Sequence, residues 1–244
     1  MCGRYDIAFR LADDLRACQA PSTGGFWDVP GALEGTHHAM TAGMAGLGLL
    51  SVGDVAGARR AADFLIGLLR LQPNPDKEFF LVVEVSAAGE QRVAIDRTPS
   101  NHVNRMATRQ RPARLGPVQI LLSRLHQLVG EARYLEAALA YSDLFLDGAP
   151  GIVDCVEAHK FLWGLEELYL ITADARLRAT ADRIVAYLLS KQKVDGQWWG
   201  DAIGGDSEGQ SLDLRLNTTC NVLVGLGYHR HLRLANHAHA VGPA

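Results

Sequence analysis

The chain has 244 residues, 48% of them apolar and 21% charged, enough to bury one sizeable core in a single domain spanning 1–244. A formal net charge of −3 without a basic stripe argues against nucleic acid as a partner, and no apolar run reaches the roughly 18 residues of a membrane span. The polar start, acidic by Asp6, predicts no signal peptide, and four cysteines (Cys2, Cys18, Cys155, Cys220) without a Cys-x-x-Cys spacing predict reduced thiols in a cytoplasmic protein.

Residues 5–20 predict an amphipathic helix with Ile7, Leu11, Leu15 and Cys18 on its apolar stripe, stopped by Pro21 and a Ser-Thr-Gly-Gly loop. Thr36 is the predicted N-cap of a helix over 37–50, whose Gly and Ala content suits close helix–helix contact. Asp54 opens a helix that ends before Pro73. The β-rich runs 79–85 and 91–96, joined by Ser86-Ala-Ala-Gly-Glu90, predict a small hairpin at one rim. Residues 97–117 read as irregular and basic, their Arg-rich part from Arg105 to Arg114 interrupted by Pro112. Helices follow at 117–129, 132–146, 154–172, 175–192 and 212–228, and the His- and Ala-rich tail 229–244 is expected to fray. A turn-and-helix phrase, small residue then acid then helix, occurs at 51–65, 128–139 and 171–181. Such a repeat predicts an array of helical hairpins, an all-α toroid with one β-hairpin around 79–96. Where such hairpins close into a ring, the ends of the inner helices share one pocket.

Two patches carry a family resemblance. Gln19-Ala-Pro-Ser-Thr-Gly-Gly-Phe-Trp-Asp28, followed by Thr36-His-His-Ala-Met-Thr-Ala-Gly-Met-Ala-Gly-Leu47, resembles the repeat of terpenoid cyclases and protein prenyltransferase β-subunits. Gln192-Lys-Val-Asp-Gly-Gln-Trp198 is similar to the same group's Gln-x-x-Asp-Gly-x-Trp motif, and Asn217 to Leu226 resembles the inner helix after it. The resemblance implies an α/α toroid, a fold shared by linalool dehydratase–isomerase and by sugar-active toroids. The cyclase proton donor Asp-x-Asp-Asp is absent, Asp154-Cys155 departs from the prenyltransferase zinc spacing, and Thr218 stands where that set would have a His.

The candidate site residues lie at predicted helix ends. Asp28, beside Trp27 above the first inner helix, is placed to serve as a general acid; its plainer role is a helix-end cap. His37 and His38 open the next helix about 100° apart, so one of them faces the pocket, where a helix N-terminus favours a neutral ring. Asp154, Cys155, Glu157 and His159 open another helix, with Cys155 and His159 four apart on one face. They suit an incomplete zinc site, a thiol–base pair, or a cap with a core cysteine. Trp198, Trp199 and Asp201 precede the last helix, which carries Asn217, and paired tryptophans suit a sugar face or an isoprenoid cation equally. The Gly-rich run 204–209 is not a P-loop, because no Gly-Lys-Ser/Thr follows. His102, Asn104 and Arg105 would form a lid in which Arg105 or Arg109 holds an anionic group, or a solvated rim.

Three functions fit a small-molecule pocket of this kind. The first is a lyase, isomerase or cyclase acting on a hydrophobic, isoprenoid-like molecule. Asp28 would give a proton, and His38 or the Cys155/Glu157/His159 group would take one. The alternative is a carbohydrate-active enzyme: a glycoside hydrolase, uronate lyase or sugar epimerase. The third is a non-catalytic binding toroid. No cofactor motif is present, zinc rests on the incomplete set above, and a homo-oligomer stays open.

Overall fold

A computed structural model describes residues 5–199 and 212–240. The fold is an α/α toroid of helical hairpins carrying a small β layer. Helices α1 (Tyr5–Cys18), α2 (Ala39–Ser51) and α3 (Val55–Arg70) precede most of the strands, and α4 (Gly116–Val129), α5 (Ala132–Leu146), α6 (His159–Thr172), α7 (Ala175–Lys191) and α8 (Leu212–Ala240) follow them. The inner series α2–α4–α6–α8 packs neighbour to neighbour, while α3, α5 and α7 lie outside it and α1 rests on α2. Side chains of all four inner helices surround one small cavity of about 120 Å³, including Met44, Ile120, Trp163 and Val224. Among the described residues, no contact between α8 and α2 matches those along the series.

The repeated phrase is the inner-to-outer connection. Gly53 and Asp54 join α2 to α3, Gly130 and Glu131 join α4 to α5, and Ala173 and Asp174 join α6 to α7. The small residue takes a left-handed backbone in each copy, with φ of 83°, 74° and 55°. The Asp54 and Asp174 carboxylates then cap the outer helix, accepting from Gly57 N at 2.9 Å and Arg176 N at 2.8 Å. Burial follows helix position: the Ala- and Gly-rich α2 buries Ala39, Ala42, Gly43, Ala45 and Gly46 where α3 and α4 press on it.

The β layer is larger than a single hairpin. β1 (Gly35–His38), β2 (Glu78–Phe80), β3 (Val82–Val85), β4 (Gln91–Val93) and β5 (His102–Asn104) form two antiparallel sheets, β1-β3-β4 and β2-β5. The predicted hairpin is β3–β4, turning through Ser86 and Glu90. Leu81 stitches the sheets, its N–H donating to Asn101 O at 2.8 Å and its carbonyl accepting from Ala39 N at 2.9 Å.

Four element expectations change. Thr36 is a strand residue, because residues 35–38 find a partner strand in 82–85, and His38 caps the helix instead. Residues 154–158 stay out of α6; 156–158 form a 3₁₀ turn and the α-helix starts at His159. On α1, Ile7 and Leu11 are exposed and Ala12 is the buried residue, since only α2 covers that helix substantially. The tail holds helix through Ala240 rather than fraying from His229, whose Nδ1 meets the buried Glu166 carboxylate.

Candidate functional site

The N-terminal ends of the inner helices converge on two adjoining clefts. The first, about 500 Å³, is lined by Asp28, Thr36, His38, Met40, Val82, Glu84, Asp96, Asn101 and Arg114, among others. The second, about 340 Å³, includes Met40, Arg111, Arg114, Glu157, His159, Lys160, Asn217 and Asn221. Met40 and Arg114 belong to both, so the two form one polar surface.

Strand alternation decides the histidine pair. His37 turns inward and is fully buried between Trp27 at 4.1 Å and Phe64 at 5.5 Å, ring centre to ring centre. Its Nδ1–H donates to Phe26 O at 2.9 Å, and its Nε2 accepts from the Thr23 hydroxyl at 2.9 Å. His38 turns to the cleft as the cap of α2: Nδ1 accepts from Met40 N at 3.0 Å and Nε2–H donates to Ser100 O at 3.3 Å. Burial lowers the pKa of both rings, and at His38 the nearby Arg114 adds to that. His38 therefore has both nitrogens engaged as a neutral ring and suits positioning better than proton uptake.

Four carboxylates line this surface. Glu84 is paired with Arg92 at 2.6 Å. Asp96, beyond β4, accepts from Thr98 N at 2.9 Å and Asn101 Nδ2 at 2.7 Å, and these bonds hold its carboxyl below the usual range. Asp28 is exposed on the loop after Trp27, facing the same cleft. Glu157, half-buried in the 3₁₀ turn before α6, lines the second cleft.

The cationic side of the surface was not singled out in the sequence. Pro112 starts a 3₁₀ turn, 112–114, that delivers Arg111 and Arg114 to the cleft, and the start of α6 delivers Lys160. Burial lowers the pKa of Arg114, with Arg111 adding to it, and lowers that of Lys160, with Arg114 adding to it. His159 donates from Nδ1 to Val156 O at 3.0 Å, which leaves Nε2 as a buried acceptor, and burial pushes this ring down to about 4. The Arg-rich stretch was the available signal; periodicity could not say which arginine a 3₁₀ turn would aim inward.

The other sequence candidates lie elsewhere. The Cys155–His159 face does not form, because α6 begins only at His159; Cys155 is buried and its Sγ donates to Gln110 O at 3.0 Å. Asp154 accepts from Nε and Nη2 of Arg183, at 2.9 and 2.8 Å, and among the described residues no three of His, Cys, Asp and Glu are grouped to hold a metal ion. Trp198 is buried with its Nε1–H on Leu188 O at 2.6 Å, plugging the seam after α7. Trp199 lies under Lys193 and Arg215, at 4.9 and 5.3 Å from the ring centre. Arg105 ties the chain together, donating to Pro75 O and Asp143 O. Arg109 reaches Tyr187 at 3.2 Å, and His102 reaches Glu78 at 3.1 Å. Asn217 lines the second cleft; Asp201 and the run 204–209 lie outside the described residues.

The sequence matches no known family model and no curated protein. Solved structures share the fold. An endo-β-1,4-glucanase, CMCax from Acetobacter xylinum, aligns with TM-score 0.53 and 16% identity over 80% of this chain and 61% of its own. A family 76 glycoside hydrolase from a bovine Bacteroides thetaiotaomicron strain aligns with TM-score 0.58 and 15% identity over 93% of this chain and 51% of its own. The chain thus spans between half and two thirds of the length of these two toroids, whose likeness to it is one of fold.

Proposed function

We propose that the chain is carbohydrate-active, with glycoside hydrolysis as its chemistry. The observation that carries this is the polar surface across the inner-helix ends, where Asp28 and Asp96 share one cleft with Asn101, and Asn217 and Asn221 line the adjoining half. Glycoside hydrolysis needs two carboxyl groups flanking the scissile bond, one ionised and one able to give a proton. Asp96, kept ionised by two hydrogen bonds, suits the base or nucleophile, and Asp28 suits the acid. Asn101 orients Asp96, and His38 holds the start of α2 and Ser100 in place. The two toroids of similar fold are glycoside hydrolases, which supports this choice over the isoprenoid cyclase. A cyclase needs an aromatic wall, and Trp27 and Trp198 are committed to packing.

The test is release of reducing ends from soluble β-1,4-glucan and a panel of neutral and acidic polysaccharides. Asp28→Asn and Asp96→Asn are each expected to reduce turnover by about 10²-fold or more, while the fold is retained. No release by the unaltered chain from the whole panel, or full turnover in both variants, would sink the proposal.

A further inference from the structure

The cleft holds its positive charge apart from most of its carboxylates. Arg111, Arg114 and Lys160 line its second half, and among the described residues none of the three makes an ion pair with a carboxylate. Arg114 donates only a long contact to Met40 Sδ at 3.8 Å, and Arg111 one to Ser100 Oγ at 3.4 Å. Arg111 Nε is buried without a hydrogen-bond partner. Several arginines elsewhere have a carboxylate partner: Arg97 with Glu78, Arg124 with Glu167, Arg183 with Asp154. Half-buried cations left together without counter-charge are destabilising for the protein alone, and a bound anion removes that cost. The carboxylates facing the same surface are Glu157 in this half and Asp28, Glu84 and Asp96 in the other.

A second observation comes from another residue type. His159 is 6% exposed, stands in the wall between this cleft and the small cavity among the inner helices, and its buried Nε2 has no hydrogen-bond partner. Because Nδ1–H is spent on Val156 O, the neutral ring presents a lone pair, which wants a hydroxyl donor and repels an oxyanion. Asn217 and Asn221, which are hydrogen-bonded to each other, border the same space. Guanidinium and ammonium groups for an anion, with a buried acceptor for a hydroxyl beside them, define one ligand chemistry. We propose that this half of the cleft binds the oxyanion of an acidic sugar, with Arg111, Arg114 and Lys160 gripping the charged group and His159 Nε2 accepting a ring hydroxyl. The inference rests on the carbohydrate reading of the same surface and names its substrate class.

Calorimetric titration of the full chain with five probes tests it: a uronic-acid trisaccharide, the neutral trisaccharide of the same linkage, a hexose 6-phosphate, its parent hexose, and inorganic phosphate. At least one acidic sugar is expected to bind tenfold or more tightly than its neutral counterpart, with affinity falling as salt rises. Preference for the uronate assigns a carboxylate, and preference for the hexose phosphate assigns a phosphoryl group; either supports the proposal. Arg114→Gln should erase that preference by weakening acidic-sugar binding tenfold or more, and Lys160→Gln should do so independently, each variant first shown folded by circular dichroism. Equal binding of acidic and neutral sugars, binding of no acidic sugar, or phosphate alone binding as tightly as the best sugar would overturn it. Hydrolysis of neutral glycan without acidic preference removes this inference and leaves the hydrolase standing. Acidic-sugar binding without hydrolysis does the reverse.

Discussion

Two polar regions of the molecule are built on opposite terms. Around Gln19 and His37, partners are supplied from within: Gln19 Nε2 donates to Gly24 O at 3.1 Å and Gly57 O at 2.9 Å, and its Oε1 accepts from Arg60 at 2.7 Å. Gly25 N–H donates to the Thr23 hydroxyl, which donates to His37, which donates to Phe26 O. Around Arg111, Arg114, Lys160 and His159 the reverse holds, with one buried donor, Arg111 Nε, and one buried acceptor, His159 Nε2, left without partners and like charges adjacent. The first region is what recognisable sequence patches look like when they serve the fold. The second has no motif and is the one to which the proposed ligand is assigned.

The satisfied knot should break hardest. A Cβ on Gly24 would stand 2.1 Å from Arg60 O, on a backbone with φ of 78°. Gly24→Ala is therefore expected to cost about 3–5 kcal/mol in urea unfolding, combining backbone strain with a clash against main chain. Gly53→Ala, at φ of 83° with nothing within 4 Å, isolates the strain alone and should cost about 1 kcal/mol. Equal losses would mean the knot has slack, and the contrast between the regions would weaken.

The open region should show itself through pH. His159 has a folded pKa of about 4 against 6.5 for a free ring, so between these values the unfolded chain binds the proton and the folded chain does not. Stability is complete above pH 6.5 and falls as the pH drops toward 4, by about 3 kcal/mol at most. His37 and His38 are lowered too and push the same way, so the comparison is with His159→Gln, which keeps them. The variant should show a shallower loss in denaturant midpoints between pH 7 and 4.5. Parallel curves would remove His159 from the buried wall.

Much of the fold was legible because it is periodic. The Gly-Asp, Gly-Glu and Ala-Asp turns announced the inner-to-outer connections, since a left-handed residue followed by a cap is a local requirement. Residues 35–38 were harder: Thr36, His37 and His38 begin a strand only because Val82 to Val85, far along the chain, lies beside them. That long-range pairing also decided which histidine faces the cleft. Asp28, His38, Glu157, His159 and Asn217 were legible as helix-end residues and do meet at one surface. Cys155, Trp27 and Trp198 were chosen for chemical promise, and chemistry alone does not tell a pocket wall from a core. Asp96, Arg114 and Lys160 escaped because a hairpin tail, a 3₁₀ turn and a helix start, none of them periodic, aim them.

The smallest effect is the most discriminating, because its sign differs between the regions. Arg60 completes a hydrogen-bonded set on Gln19, so Arg60→Gln should lower stability by about 1 kcal/mol. Arg114 completes nothing in the chain itself: its neighbours are Arg111, Lys160 and a methionine sulfur, and burial already disfavours its charge. Arg114→Gln retains the aliphatic stem that packs and deletes the unanswered charge, so the ligand-free protein should gain about 0.5–1 kcal/mol, roughly 1–3 °C in Tm. That gain should vanish when the wild-type chain is saturated with an acidic sugar, because the anion stabilises only the form that keeps the guanidinium. A loss on Arg114→Gln as large as that on Arg60→Gln would make the two regions alike, both serving the fold.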